Sequence, residues 1–203
     1  MTHLVKIKKR KSNALSRSLA RPKLPVGEQK QVYSIGHSTR SIDDFIKILN
    51  AYEIEEVVDI RTIPRSRHNP QFNKDSLRES LKAAKIRYLH MSNLGGLRHA
   101  VPVSTNQAWR NLSFRGYADY MQTTEFKSAV EKLIELSKRR RIVLMCAESV
   151  PWRCHRSLIA DALLIRKIQT VDIFGATKNK RHTLTPWAKV SGKKITYPGT
   201  AFS

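Results

Sequence analysis

The chain has 203 residues, enough for one α/β domain with a full hydrophobic core and a short appendage. Its 38 lysines and arginines against 16 acidic residues give a net charge of +22, which predicts attraction to polyanions such as nucleic acid or an anionic membrane surface. No apolar run approaches the roughly 20 residues that span a bilayer, so an integral membrane protein is excluded and we expect no membrane partner. Two cysteines exclude a disulfide scaffold and suit a reducing compartment, so we expect a cytoplasmic protein.

Both ends of the chain are strongly basic. Residues 1–30 contain nine basic residues, one acid and two prolines with little apolar periodicity, which predicts a disordered basic arm before a single domain over residues 31–203. The arm carries +8 of the net charge and the domain the remaining +14. Residues 173–203 contain six lysines and arginines and no acid. We expect DNA or RNA to bind the arm and this C-terminal segment through its phosphates; the alternative is a merely solvated surface.

After the arm, apolar strands alternate with amphipathic helices. Strands are predicted at residues 32–36, 57–60, 87–91, 142–147 and 170–174. Helices are predicted to begin at Ser41, at Asn73 or Asp75, at Thr124 and near Cys154. The helical spacing of Tyr117 and Tyr120 indicates core packing. This alternation predicts an α/β fold with a mostly parallel sheet and helices on both of its faces.

Polar side chains gather where the predicted strands end. In parallel sheets the ligand crevice lies beyond the carboxyl ends of the strands, so these residues are the predicted site. They are His37 and Ser38 after the first strand, Asp59, Arg61, Ser66 and Arg67 at the second, His90 at the third, and Cys146 and Glu148 at the fourth. Asp59 lies within an apolar strand and must be neutralised, for which Arg61 on the same strand face is available.

Residues 145–156 form the strongest segment, a strand that passes through a short loop into a helix. The first backbone N–H groups of that helix would form an anion site, to which Arg153 and Arg156 add bidentate donors. Glu148 is a candidate general acid or base, or else an ion-pair partner that fixes an arginine. Cys146 is a candidate nucleophile, but Cys146 and Arg153 are separated by six residues rather than the five of phosphatase-like loops, and inert packing remains the alternative.

Metal and nucleotide-cofactor motifs are missing from the sequence. His37, His90 and His155 could bind a metal together with a cysteine or Asp59, but there is no Cys-x-x-Cys or His-Glu-x-x-His spacing, and adjacent Cys154 and His155 would ordinarily point apart. Gly95 and Gly96 belong to no dinucleotide fingerprint or P-loop and are predicted to permit close approach of a substrate. We therefore expect no metal and no cofactor.

The motifs, taken together in their order along the chain, resemble the DUF488 family of uncharacterised proteins. The residues that carry the resemblance are Ser34-Ile35-Gly36-His37-Ser38, Val58-Asp59-Ile60-Arg61, Pro64-Arg65-Ser66-Arg67, Tyr88-Leu89-His90, Leu94-Gly95-Gly96, Cys146-Ala147-Glu148, Cys154-His155-Arg156 and His182-Thr183-Leu184-Thr185-Pro186. The resemblance covers nearly everything after the arm. It implies a single Rossmann-like, three-layer domain whose motif residues form one site, and it implies no particular activity.

Three functions compete at this level. The favoured hypothesis is a hydrolase or group transferase acting on a phosphate-bearing substrate, with Arg61, Arg67 and Arg156 holding the anion. In that hypothesis Glu148 moves a proton with His37 or His155 as its partner. The alternatives are a non-catalytic nucleic-acid-binding module and a thiol-based redox sensor that uses Cys146 and Cys154.

Overall fold

The computed structural model describes residues 31–199, so the prediction of a disordered arm at residues 1–30 lies outside the described residues. The strands are β1 (Gln31–Gly36), β2 (Glu56–Asp59), β3 (Arg87–His90), β4 (Ile142–Cys146), β5 (Gln169–Ile173), β6 (Asn179–Arg181), β7 (Lys189–Ser191) and β8 (Lys194–Thr196). The α-helices are α1 (Ile42–Ala51), α2 (Lys74–Ala83), α3 (Leu112–Tyr120), α4 (Thr124–Ser137) and α5 (Arg156–Leu164).

Six strands form one sheet in the order β3-β2-β4-β1-β5-β6. The first five strands of that order are mutually parallel, and β6 is antiparallel to β5. The predicted α/β fold with a mostly parallel sheet is therefore confirmed. The five predicted strands all form, and each of their ends lies within one residue of the predicted position.

Two helical layers cover the sheet. Val57, Val143, Tyr33 and Val171 lie in register across four strands and pack under α1 and α2. The alternate residues of the strands, including Val58 and Leu144, pack under α3, α4 and α5. Side chains of successive strand residues point to opposite faces, so each strand contributes to both cores. The three-layer arrangement is thus also confirmed.

Local signals explain where the helices begin. The Ser41 hydroxyl accepts a hydrogen bond from the Asp44 backbone N–H (3.1 Å), as the capping prediction requires. Asn73 precedes α2 but uses its side chain to accept a hydrogen bond from the Ser66 N–H (2.7 Å). Helix α5 starts two residues later than predicted because Pro151–Arg153 forms a 3-10 turn and Cys154 is extended.

The C-terminal segment adds structure that the sequence pattern did not predict. β6 extends the sheet, and β7 and β8 form a separate hairpin. Buried Asp161 of α5 anchors this region by accepting hydrogen bonds from His182 Nε2 (2.7 Å), Thr185 Oγ1 (2.6 Å) and Tyr197 Oη (2.8 Å). Within residues 31–199, no helix is long and apolar enough to cross a membrane.

Candidate functional site

A cleft of about 420 Å³ opens at the carboxyl ends of β2 and β4. It lies where the crevice of a parallel sheet is expected. Six of the fourteen predicted site residues line it: Arg61, Gly96, Cys146, Glu148, Arg153 and His155. The other eight do not line the cleft.

Arg61 is held by buried partners at the base of the cleft. Its Nε and Nη2 atoms donate to the Asp59 carboxylate at 2.9 and 2.6 Å, and Nη2 also donates to the Phe72 carbonyl. Asp59 is fully buried and receives a further hydrogen bond from the Tyr88 hydroxyl (2.8 Å). The expected pairing of Asp59 with Arg61 is therefore present, and it neutralises most of the charge that Arg61 would offer to a substrate.

His37 supports Arg61 from behind. Its Nδ1 donates to the Ser38 carbonyl (2.8 Å), which leaves Nε2 as an acceptor 3.4 Å from Nη1 of Arg61. Burial lowers the pKa of His37 to about 4, and the positive charge of Arg61 acts in the same direction. The ring is therefore neutral at physiological pH. Its stacking on Phe72, with ring centroids 4.2 Å apart, fixes its orientation.

The remaining predicted residues near β1 to β3 shape the surrounding loops. His90 Nε2 donates a hydrogen bond to the Arg61 carbonyl (2.8 Å). Ser38 is half-buried, and its backbone has a positive φ of 51°. The Ser66 hydroxyl accepts a hydrogen bond from the Asn69 N–H, whereas Arg67 is exposed without a side-chain partner among residues 31–199. A Cβ on Gly95 would overlap Thr62 and the Ser92 carbonyl, so this position needs glycine for packing.

Arg156 is the largest fully buried side chain in the described part of the chain. Its Nη2 donates to the carbonyl groups of Glu148 and Ser149, and its Nη1 donates to the Ser34 hydroxyl. Its Nε atom is buried and has no partner within residues 31–199. The guanidinium thus fixes the loop after β4 from behind the cleft instead of lying in it.

Apart from Arg61, the charged side chains that line the cleft are exposed. Arg65 and Arg153 line it, and neither forms a side-chain hydrogen bond or ion pair among residues 31–199. Glu148 is also exposed, and its carboxylate accepts a hydrogen bond from the Ser149 N–H (2.9 Å). The sequence did not predict Arg65 as a site residue, although its position in the loop after β2 indicated that it could lie in the cleft.

Both cysteines and His155 meet at one wall of the cleft. Their Sγ atoms and one ring nitrogen lie within 4.8 Å of one another, and Cys154 Sγ is 3.7 Å from His155 Nδ1. The adjacent side chains do not point apart, because Cys154 is extended (φ −134°, ψ 143°) and His155 begins a helical turn (φ −56°, ψ −12°). Cys154 is not among the residues predicted to form the site, because only the fold brings it to Cys146.

This thiol–imidazole group is electrostatically asymmetric. A hydrogen bond between the two sulfurs lowers the pKa of Cys154 and raises that of Cys146, and nearby Arg156 also favours the Cys154 thiolate. Burial lowers the pKa of His155. A Cβ on Gly96 would overlap the His155 ring, so glycine is required for the ring to reach the cleft.

A second cavity of about 250 Å³ lies beside the C-terminal segment. Trp109, Trp152, Trp187 and Phe174 contribute aromatic walls, and Lys180 and Arg181 contribute positive charge. Trp109 and Trp152 therefore line this second cavity rather than the cleft. Tyr117 and Tyr120 are buried in the core, as their helical spacing predicted.

Comparison with known proteins gives one family match. The profile of the "Domain of unknown function DUF488" matches residues 41–163, which is more than half of the chain. Neither the curated proteins nor the solved structures include a significant match. All the residues that line the cleft lie within the matched range. The chain therefore belongs to the DUF488 family.

Proposed function

We propose that the protein is an enzyme, a hydrolase or group transferase, that binds a phosphate-bearing substrate such as a nucleotide in the cleft beyond β2 and β4. The observation that carries this proposal is the pair of exposed arginines, Arg65 and Arg153, that line the cleft without acidic partners among residues 31–199. Planar guanidinium groups bind phosphate oxygens in a bidentate manner. Cys146 and Cys154 are both free cysteines, which suits the reducing cytoplasm as the protein's compartment.

The polar groups of the cleft have two different roles in this proposal. Arg65 and Arg153 hold the anion, in place of the buried Arg61 and Arg156, whose donors are used in shaping the walls. Glu148, at the rim, is the group that moves a proton, since an exposed carboxylate beside a bound phosphate ester can accept one from an attacking hydroxyl. Of the two histidine candidates, only His155 lines the cleft.

Product formation tests this proposal. Wild-type protein and Glu148→Gln are incubated with nucleotides and with short DNA and RNA, with and without divalent metal ions, and the products are followed by mass spectrometry. We expect a product whose rate falls by roughly 100-fold or more in the variant, the usual contribution of general acid–base catalysis. Glu79→Gln, on the exposed side of α2, is the matched control and should retain the wild-type rate. Full activity of Glu148→Gln on the same substrate would contradict the proton role.

A second candidate function is nucleic-acid binding at the C-terminal segment. Lys178, Lys180, Arg181, Lys189 and Lys194 form no ion pair with an acid among residues 31–199, and Trp152 and Trp187 are 64% and 44% exposed nearby. Exposed aromatic rings next to positive charges can stack bases while the cations bind phosphates. The +8 charge of residues 1–30 would add to this attraction.

Salt dependence tests the second candidate. Binding of a short single-stranded DNA should weaken steeply as salt rises, and Lys180→Gln with Arg181→Gln should reduce the slope of log affinity against log salt by roughly 1.4. Lys127→Gln, on the exposed side of α4, should leave the slope unchanged. A slope that is flat in the wild type would contradict this function, while the enzyme proposal would stand.

A further inference from the structure

Cys146, Cys154 and His155 come from different parts of the local fold yet meet at one point. Cys146 ends β4, and the 3-10 turn at Pro151–Arg153 brings the chain back so that Cys154 and His155 face it. The two sulfurs and one ring nitrogen lie within 4.8 Å of one another. This convergence arises from the strand-to-helix turn and not from a short ligand-spacing motif.

The separations fit a tetrahedral metal ion. With metal–sulfur and metal–nitrogen bonds of about 2.3 and 2.0 Å, neighbouring ligand atoms of a tetrahedral ion lie about 3.5 to 3.8 Å apart. The distance of 3.7 Å between Cys154 Sγ and His155 Nδ1 already lies in that range. The remaining separations need to close by about 1.3 Å at most to reach it.

The surroundings also favour a cation at this point. His155 is tightly oriented between Gly96 and the Tyr117 ring, whose centroid is 4.9 Å away, and its Nδ1 atom points to the Cys154 sulfur. Two thiolates with one divalent cation are neutral as a group, so the cluster can be charged internally and still lie in a buried wall.

We propose that Cys146, Cys154 and His155 bind one Zn²⁺ ion, with its fourth position open to the cleft. Thiolate and imidazole ligands select a borderline-soft divalent ion such as Zn²⁺ over Mg²⁺ or Ca²⁺. All three residues line the cleft, so a water molecule or a substrate atom can reach the fourth position. Three protein ligands with an open position are typical of catalytic rather than structural zinc sites. Metal binding does not depend on the phosphate substrate, so either proposal can fail alone.

Cobalt titration of the reduced, metal-free, full-length protein tests the site directly. We expect one equivalent of Co²⁺ to bind with thiolate-to-cobalt charge-transfer absorption and the visible bands of a tetrahedral ion, and Zn²⁺ to displace it. Cys146→Ser, Cys154→Ser and His155→Asn should each weaken Zn²⁺ binding, measured against a chromophoric chelator, by more than the roughly 10- to 100-fold that follows loss of an outer-shell partner. The exposed His68→Asn is the matched control and should bind as the wild type does.

A second measurement keeps the proposal testable where a variant fails to fold. In the wild-type protein, Zn²⁺ should protect both cysteines from alkylation, as read by mass spectrometry of peptides, and a chelator should remove the protection. Absence of charge-transfer bands, or wild-type affinity in Cys154→Ser, would overturn the proposal. The proposal would also be overturned if Zn²⁺ failed to protect the two cysteines and mild oxidation joined them in a disulfide with loss of two hydrogens. That result would support the redox pair instead.

Discussion

Replacement of Asp59 by alanine should destabilise the protein more than any surface substitution, because it leaves Arg61 without its counter-ion. The Asp59 carboxylate is fully buried and accepts four hydrogen bonds, three from Arg61 and one from Tyr88. Without it, the Arg61 side chain retains the Phe72 carbonyl and the ring of His37 as neighbours. A guanidinium that is 6% exposed would then carry an uncompensated charge.

Loss of one member of a buried ion pair costs about 3–5 kcal/mol of unfolding free energy. For a chain of this length, that corresponds to a fall of roughly 6–20 °C in the midpoint of thermal unfolding. Urea denaturation followed by circular dichroism, together with calorimetry, measures both quantities. Asp43→Ala, an exposed acid in the first turn of α1, is the control and should change stability by no more than about 0.5 kcal/mol.

A double substitution separates the ion pair from simple packing. Asp59→Leu combined with Arg61→Met removes both charges, so it should be less destabilising than Asp59→Ala alone. A loss below about 1 kcal/mol in Asp59→Ala would refute the conclusion that Asp59 holds Arg61 in the wall of the cleft.

Three further substitutions test other parts of the structure. Because burial lowers the pKa of His37 from 6.5 to about 4, the unfolded chain takes up a proton before the folded one as the pH falls. Between pH 7 and pH 5, the wild type should therefore lose roughly 2 kcal/mol more unfolding free energy than His37→Gln. Equal losses of the two proteins in urea titrations would contradict this. Gly96→Ala should displace the His155 ring and weaken Co²⁺ binding in the same titration, whereas unchanged binding would show that the ring needs no such space. Asp161→Ala should lower the unfolding free energy by at least roughly 3 kcal/mol and expose residues 182–199 to trypsin, because it removes the hydrogen bonds that Asp161 accepts from that segment. A wild-type digestion pattern would count against the anchoring role of Asp161.

The sheet and most helices could be predicted because their signals are local. Apolar runs such as 142–146 specify buried parallel strands, and Ser41 marks the start of α1 through its own side chain. Strands β6 and β7 escaped prediction because they have three residues each and every one of those residues is exposed, so no buried face shapes their sequence. Each pairs with the strand next to it in the chain, β6 with β5 and β7 with β8, through backbone hydrogen bonds that need no apolar side-chain pattern.

The site was predictable in its location but not in its detail. The carboxyl edge of the sheet was identified because parallel strands bring their ends together. The sequence does not show which arginines remain available to bind a substrate. Only after folding does Asp59 neutralise Arg61, and only then do loop carbonyls enclose Arg156. The meeting of Cys146 with Cys154 likewise depends on a turn whose geometry no spacing rule describes.

Binding of a phosphate-bearing ligand in the cleft is most directly measured by isothermal titration calorimetry. The four ribonucleoside 5′-monophosphates and the corresponding nucleosides are titrated into wild type, Arg65→Gln, Arg153→Gln and the exposed control Arg78→Gln. We expect at least one nucleotide to bind more tightly than its nucleoside, with each cleft variant weakening that binding roughly 10- to 100-fold and the control leaving it unchanged. Nucleotides that bind no better than nucleosides, or that bind both cleft variants as tightly as the wild type, would contradict phosphate recognition by the cleft.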